Sequence, residues 1–169
     1  ATLSFGYGIS ATPVQLAQAY TLLASGGILR PATFLRQEAA PAGERILPQR
    51  VAQQVNAMLE EVTGPQGTAV TARVAGYRVS GKTGTVRKSL AGGYAEDKCL
   101  AVFAGMAPVS DPRLVMVVMV NEPDNGEYYG GQVAAPVFSK VMSGALRLMA
   151  VPPDDLPLMA RKPGSARER

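Results

Sequence analysis

The sequence predicts an α+β fold, an antiparallel sheet flanked by helices, and two observations carry that expectation. Three runs of apolar residues recur with a period near two and are joined by short turn-rich connections. Segments on either side of them repeat instead at the three-to-four-residue spacing of a helix. Short connections make neighbouring strands antiparallel, because a parallel return needs a crossover of about a dozen residues or more.

The elements follow in order. Thr12-Pro13-Val14-Gln15 has the form of a capping box with proline at the first helical position. Leu16, Ala17, Tyr20, Leu23 and Ala24 then share a face, so a helix is expected over 13–25, stopped by Gly26-Gly27. Ile28 to Arg45, interrupted by Pro31, Pro41 and Gly43, reads as short extended pieces joined by loops, with no assignable chemistry. Pro48 opens a second helical pattern in which Val51, Val55, Met58, Leu59 and Val62 fall on one face, ending at Gly64-Pro65.

The strand-like runs are Tyr77 to Val86, Lys98 to Met106 and Arg113 to Asn121. Arg87 to Asp97, containing Gly92-Gly93, is the expected first connection, and Ala107 to Pro112 with its Ser-Asp-Pro turn is the second. Gly130-Gly131 leads into a helix expected over 134–149, with Pro136, Phe138, Val141, Met142, Ala145, Leu148 and Met149 as its apolar face. Three strands and about three helices make up the chain, with at least one helix lying on the sheet.

Bulk composition removes more chemistry than it adds. The chain has 169 residues, 47% of them hydrophobic, enough for the core of one domain. Of the formal charge of +4, four cations against Glu168 place +3 in residues 161–169, so the body is close to neutral and a nucleic-acid partner is not expected. The domain is expected over 1–154, followed by a basic, disordered tail over 155–169. Histidine is absent, which excludes Ser-His-Asp and Cys-His mechanisms within this chain and removes the commonest nitrogen ligand of a zinc site. No metal site is expected. Cys99 stands alone and reads as a small strand residue. The longest apolar run, Leu114 to Val120, falls far short of the roughly 20 residues that span a bilayer.

Gly76-Tyr77-Arg78-Val79-Ser80-Gly81-Lys82-Thr83-Gly84-Thr85 carries two incompatible readings. Gly76 to Thr83 matches G-x-x-x-x-G-K-T, a phosphate-cradling loop, and Val115 to Val120 with Asn121-Glu122 would then bring an acidic residue to magnesium. Such a loop must open a helix whose N-terminus faces the anion. Here bulky strand formers fill the variable positions, and Gly84, Thr85, Val86 and Gly92-Gly93 follow.

The other reading is a strand ending in Lys-Thr-Gly, the third motif of serine penicillin-recognising enzymes. An acyl-transfer site of that type needs an ammonium, hydroxyls for a substrate carboxylate, and a residue without a side chain where substrate lies along the strand. Lys82, the hydroxyls of Thr83 and Thr85, and Gly84 supply these. The tripeptide alone would also suit an exposed strand end with a solvated lysine.

A longer likeness accompanies it. Phe5-Gly6-Tyr7-Gly8-Ile9-Ser10-Ala11-Thr12-Pro13-Val14-Gln15-Leu16-Ala17-Gln18-Ala19-Tyr20 resembles the segment upstream of Lys-Thr-Gly in class B penicillin-binding proteins. Gly76-Tyr77-Arg78, Phe103-Ala104-Gly105-Met106-Ala107-Pro108, Tyr128-Tyr129-Gly130-Gly131 and Ala134-Ala135-Pro136-Val137-Phe138 resemble the same family, in the family's order, and the likeness covers about 1–154. It is nearest to the septal, cell-division branch.

The resemblance implies the serine transpeptidase or β-lactamase-like fold, with a five-stranded antiparallel sheet and the Lys-Thr-Gly strand bordering the cleft. It implies a peptidoglycan D,D-transpeptidase in which a serine attacks the D-Ala-D-Ala carbonyl of a stem peptide, and β-lactams acylate the same serine. By the same resemblance Lys82 and Thr85 are catalytic, Thr85 giving its N–H to the oxyanion hole. Thr83, Gly84, Thr85, Arg87, Tyr128 and Tyr129 bind substrate or drug. No cofactor is implied. The implied setting is the periplasmic face of the inner membrane, with an N-terminal anchor outside this chain and division-machinery membrane proteins as partners.

One departure stands out. None of the serines at 4, 10, 25, 80, 89, 110, 139, 143 and 165 is followed by lysine three residues on, and Ser-x-Asn is absent, Ser110-Asp111-Pro112 being its nearest imitation. The chain alone is expected to be inert. Its opening at Ala1, without methionine or leader, suggests a preceding stretch of the same protein that carries the missing motifs. The alternative is a domain that lost its nucleophile and kept the cleft for binding.

Overall fold

The computed structural model describes residues 9–90, 93–124 and 126–156. The expected basic tail therefore lies almost wholly outside the described residues. Helix α1 covers Pro13–Ala24 and its capping box is formed: Thr12 Oγ1 accepts from the Gln15 N–H at 3.2 Å, and the Thr12 N–H donates to Gln15 Oε1 at 2.8 Å. Gly26 and Gly27 end it at φ +69° and +95°, a left-handed region that suits glycine. Strands β1 (Ile28–Leu29) and β2 (Glu44–Arg45) pair antiparallel as a minimal ribbon.

Helix α2 (Gln49–Glu60) continues as a 3-10 turn, Glu61–Thr63. Its buried face differs from the expected one. Ala52 is fully buried, whereas Met58 is 71% exposed, because the face turned inward runs through Ala52, Val55 and Leu59. A second 3-10 turn, Val70–Ala72, precedes the main sheet.

That sheet holds β3 (Ser80–Leu90), β4 (Gly93–Ala107) and β5 (Leu114–Asn121) in the order β3-β4-β5, all antiparallel. At the hairpin β3 and β4 outrun the expected strands, whereas β3 begins three residues later than expected, at Ser80 after the Gly76 turn, and β5 one residue later, at Leu114. Most of Arg87 to Asp97 is strand rather than connecting loop: β3 runs to Leu90 and β4 starts at Gly93, with Ser89 paired to Tyr94, Leu90 paired to Gly93 and a register irregularity between Arg87 and Ser89. Residues 91–92 of the expected connection lie outside the described residues. Arg87, Lys88, Ser89 and Gly92-Gly93 break any apolar alternation in this stretch, so the extension left no strand signal in the sequence. Since β5 ends opposite Leu100, the hairpin from Arg87 and Cys99 outward is a two-stranded ribbon beyond the sheet.

Helix α3 spans Gly130–Leu148, beginning four residues before the expected start. Gly130 and Gly131 are its first residues rather than its approach, because backbone packs where side chains would be. A methyl group on Gly130 would stand 2.3 Å from the Val102 carbonyl oxygen, and one on Gly131 2.0 Å from that of Thr68.

The core lies between α3 and one face of the sheet. Phe103, Phe138, Met142 and Leu146 are fully buried there, and the Phe103 and Phe138 rings meet edge to face at 4.8 Å. Each such side chain contributes about 1.5–3 kcal/mol by leaving water. Helices α1 and α2 lie on the other face, α1 against β4 and β5, α2 against β3. Beyond α3 the chain clasps the start of β3: Tyr77 Oη donates to the Val151 carbonyl at 2.6 Å, and the Asp154 carboxylate accepts from the Arg78 and Ser110 N–H groups at 2.7 and 3.0 Å.

Candidate active site

Gly76 to Thr83 does not wrap a phosphate. Gly76 turns at φ +82°, Tyr77 pairs back to Val74, and from Ser80 the chain enters β3 instead of a helix. Without a helix N-terminus behind Lys82-Thr83 the anion cradle cannot form, so the nucleotide-loop reading is withdrawn.

Lys82 to Thr85 lie on β3 opposite Ala104 to Ala101, and alternate residues face opposite sides of the sheet. Thr83 and Thr85 share the α3 side with Val79, which belongs to the core beneath α3. Lys82 and Gly84 share the side of α1 and α2. The outer edge of β3 has no partner strand among the described residues, leaving backbone donors and acceptors of the motif open to an extended ligand.

Two further elements close on the threonines. The uncapped N-terminus of α3 arrives at Thr85, where the Gly130 N–H donates to Oγ1 at 3.1 Å. Thr68, in the loop before the second 3-10 turn, places its hydroxyl 3.1 Å from that of Thr83. Lys82 Nζ donates to the Thr83 carbonyl at 2.9 Å and lies 3.5 Å from its hydroxyl. The Thr85 hydroxyl oxygen therefore receives a protein donor, which leaves its own proton free for an incoming acceptor, while the Thr83 hydroxyl shares a hydrogen bond with Thr68 and lies within reach of the Lys82 ammonium. The positive end of a 19-residue helix dipole adds to a field that favours an anion.

Gly84 lacks a side chain for no internal reason. The nearest atom to a methyl group placed there would be Val102 Cβ at 3.6 Å, an ordinary contact.

Tyr128 and Tyr129 precede α3 and stand 40% and 53% exposed, their rings 4.3 Å apart and their hydroxyls joined at 2.9 Å. The hydrogen bond to Tyr129 pushes the Tyr128 phenol up, against the nearby Arg87 cation, which pulls it down. Arg87 is exposed on β3 beyond the threonines. Its neighbour Lys88 binds Glu122, which holds that carboxyl below its usual range. The residues named from sequence thus occupy β3 from Lys82 to Arg87 and the approach to α3. A polar cleft of about 790 Å³ just before the start of β3, lined by Glu60, Arg73, Arg78 and Asp155, contains none of them.

Sequence reasoning missed Thr68, Thr71 and the direct role of Gly130 in this arrangement. Thr68 and Thr71 lie in a segment without periodicity, and their partners are 15 and 60 residues away. Gly130-Gly131 did stand out as a motif, but nothing in its spacing pointed to Thr85.

The penicillin binding protein transpeptidase domain is the family whose pattern matches the chain, over residues 1–143. The peptidoglycan D,D-transpeptidase FtsI of Escherichia coli K12 is 45% identical over 156 residues, 92% of this chain and 26% of that protein. FtsI of Buchnera aphidicola is 42% identical over 92% of the chain and 28% of its own length. Among solved structures, the apo transpeptidase domain of Burkholderia pseudomallei penicillin-binding protein 3 superposes with a TM-score of 0.86 at 45% identity, covering 92% of this chain and 47% of that one. The chain spans about a quarter of the length of these curated relatives.

Proposed function

The chain belongs to the penicillin-binding protein transpeptidase domain family, as its C-terminal part, and on that premise we propose that it forms the substrate-binding wall of a serine peptidoglycan D,D-transpeptidase acting in septal cell division. The observation that carries this reading is the pair of hydroxyls on an open strand edge at a helix N-terminus. That arrangement suits a peptide ending in carboxylate, or the β-lactam that imitates it.

In this reading the extended stem peptide adds along the free edge of β3 from Thr85 toward Arg87, bonding by backbone groups as an extra strand does. Its terminal carboxylate accepts from Thr83 and Thr85 Oγ1, with Arg87 adding charge. Gly84 leaves room for it to lie flat, and Tyr128 and Tyr129 wall one side. The nucleophilic serine comes from the Ser-x-x-Lys motif of the preceding part of the protein, since this chain has none.

Attack on the D-Ala-D-Ala carbonyl creates an oxyanion that the Thr85 N–H stabilises together with the nucleophile's own N–H. Loss of one such donor costs about 3–4 kcal/mol in the transition state. The Lys82 ammonium supports proton transfer from the serine. D-Alanine leaves, and the amine of a neighbouring stem peptide resolves the acyl-enzyme into a cross-link. Likeness to FtsI supports a working position at the periplasmic face of the inner membrane, with an anchor outside this chain and membrane proteins of the division machinery as partners. β-Lactams that acylate the serine stop the cycle, which makes the protein an antibiotic target and a place where resistance can arise.

Intact mass spectrometry of the full-length protein before and after incubation with benzylpenicillin tests this directly. The expected result is a gain of one drug mass, mapping outside residues 1–169. A folded full-length protein that gains no mass would overturn the catalytic reading in favour of a binding-only domain.

A further inference from the structure

We propose that Thr71 is a positioning residue for the carboxylate-binding hydroxyl of Thr85, acting through the first turn of α3. The inference rests on the transpeptidase reading above and extends it to a residue outside the Lys82–Thr85 motif. The first turn of α3 is intrinsically weak. It opens with two glycines, the poorest helix formers after proline, and Tyr129 before it provides no side-chain cap. Such a turn frays unless something outside the helix holds it.

Thr71 does so. Its Oγ1 donates to the Gly131 carbonyl at 2.5 Å, one residue from the Gly130 N–H that donates to Thr85 Oγ1 at 3.1 Å. The direction of the Gly130 N–H decides which lone pair of Thr85 is taken, and so where the Thr85 proton can point. A chain of two hydrogen bonds therefore runs from Thr71 across the glycine pair to the hydroxyl that meets the ligand. The loop bearing Thr71 is itself anchored independently, since Ala69 and Ala72 are fully buried and the Arg73 carbonyl accepts from Ser139 in α3. Removing the Thr71 hydroxyl leaves that anchorage in place and frees only the turn.

The test compares acylation of the full-length protein by benzylpenicillin with acylation by its methyl ester, which lacks the carboxylate. Thr71→Val keeps the shape and removes the donor; Thr71→Ser restores the donor. The expected result is that Thr71→Val lowers the ratio of the two rates about tenfold, the order of effect of a small misplacement at a reacting group. Thr71→Ser should return the ratio to within about twofold of wild type. A ratio unchanged in Thr71→Val, or equal losses with both compounds, would overturn the role. A wild type that benzylpenicillin does not acylate would instead sink the transpeptidase reading and this inference with it.

Discussion

At Gly84 an added methyl group would meet nothing nearer than Val102 Cβ at 3.6 Å, whereas at Gly131 it would overlap the Thr68 carbonyl oxygen at 2.0 Å. The two glycines serve different ends, and substitution separates them. Gly84→Ala should leave the urea unfolding midpoint essentially unchanged while slowing acylation by benzylpenicillin by about tenfold or more, through displacement of the bound ligand. Gly131→Ala forces backbone apart and should cost about 1–3 kcal/mol in the same unfolding measurement. Equal stability for both variants would contradict the packing at Gly131. At this scale Lys82 to Thr85 stand out in the sequence because the ammonium, hydroxyls and glycine that the proposed chemistry needs are consecutive residues. Thr71 does not, because its hydrogen-bond partner is a carbonyl 60 residues away.

Elements were legible where burial is one-sided. The capping box of α1 and the three strands announced themselves by local chemistry and by period, while the start of α3 and the length of the β3–β4 hairpin did not. Gly130-Gly131 is helical against its propensity because Val102, Gly84 and Thr68 backbone atoms occupy the space of side chains. The attachment of α3 to the sheet can be measured at Phe138, fully buried against Phe103. Phe138→Ala should destabilise by about 3–5 kcal/mol in urea unfolding; a cost below that range would mean the cavity closes by α3 shifting onto the sheet. The hairpin offers a pH test. Lys88 holds the exposed Glu122 carboxyl below its usual range, so the pairing contributes above the unfolded carboxylate's pKa and is lost as pH falls through the lower folded one. An NMR titration of Glu122 should show a depressed midpoint that rises to the ordinary carboxylate range in Lys88→Ala.

Across the molecule, one face of the sheet is sealed by α3 and the other carries α1 and α2, with Val14 and Met119 still about half exposed. Ends distant in sequence meet at the foot of β3, where Asp154 accepts from N–H groups 76 and 44 residues away. Asp154→Ala should lower the unfolding free energy by about 1–3 kcal/mol, with Asp154→Asn retaining part of it through the remaining oxygen. No local pattern foretold this clasp, since Asp154 follows Pro152-Pro153 in a stretch that reads only as a terminus. The ribbon beyond β5 has a consequence of its own. The segment from Lys82 to Thr85 is backed by β4 and, behind it, β5, whereas the continuation past Arg87 has β4 alone. Two strands without a third open readily in water. Deuterium should therefore enter this one strand at two speeds, quickly at Lys88 and slowly beside Lys82, so that the outer part of β3 can open while the hydroxyls at its root stay aligned.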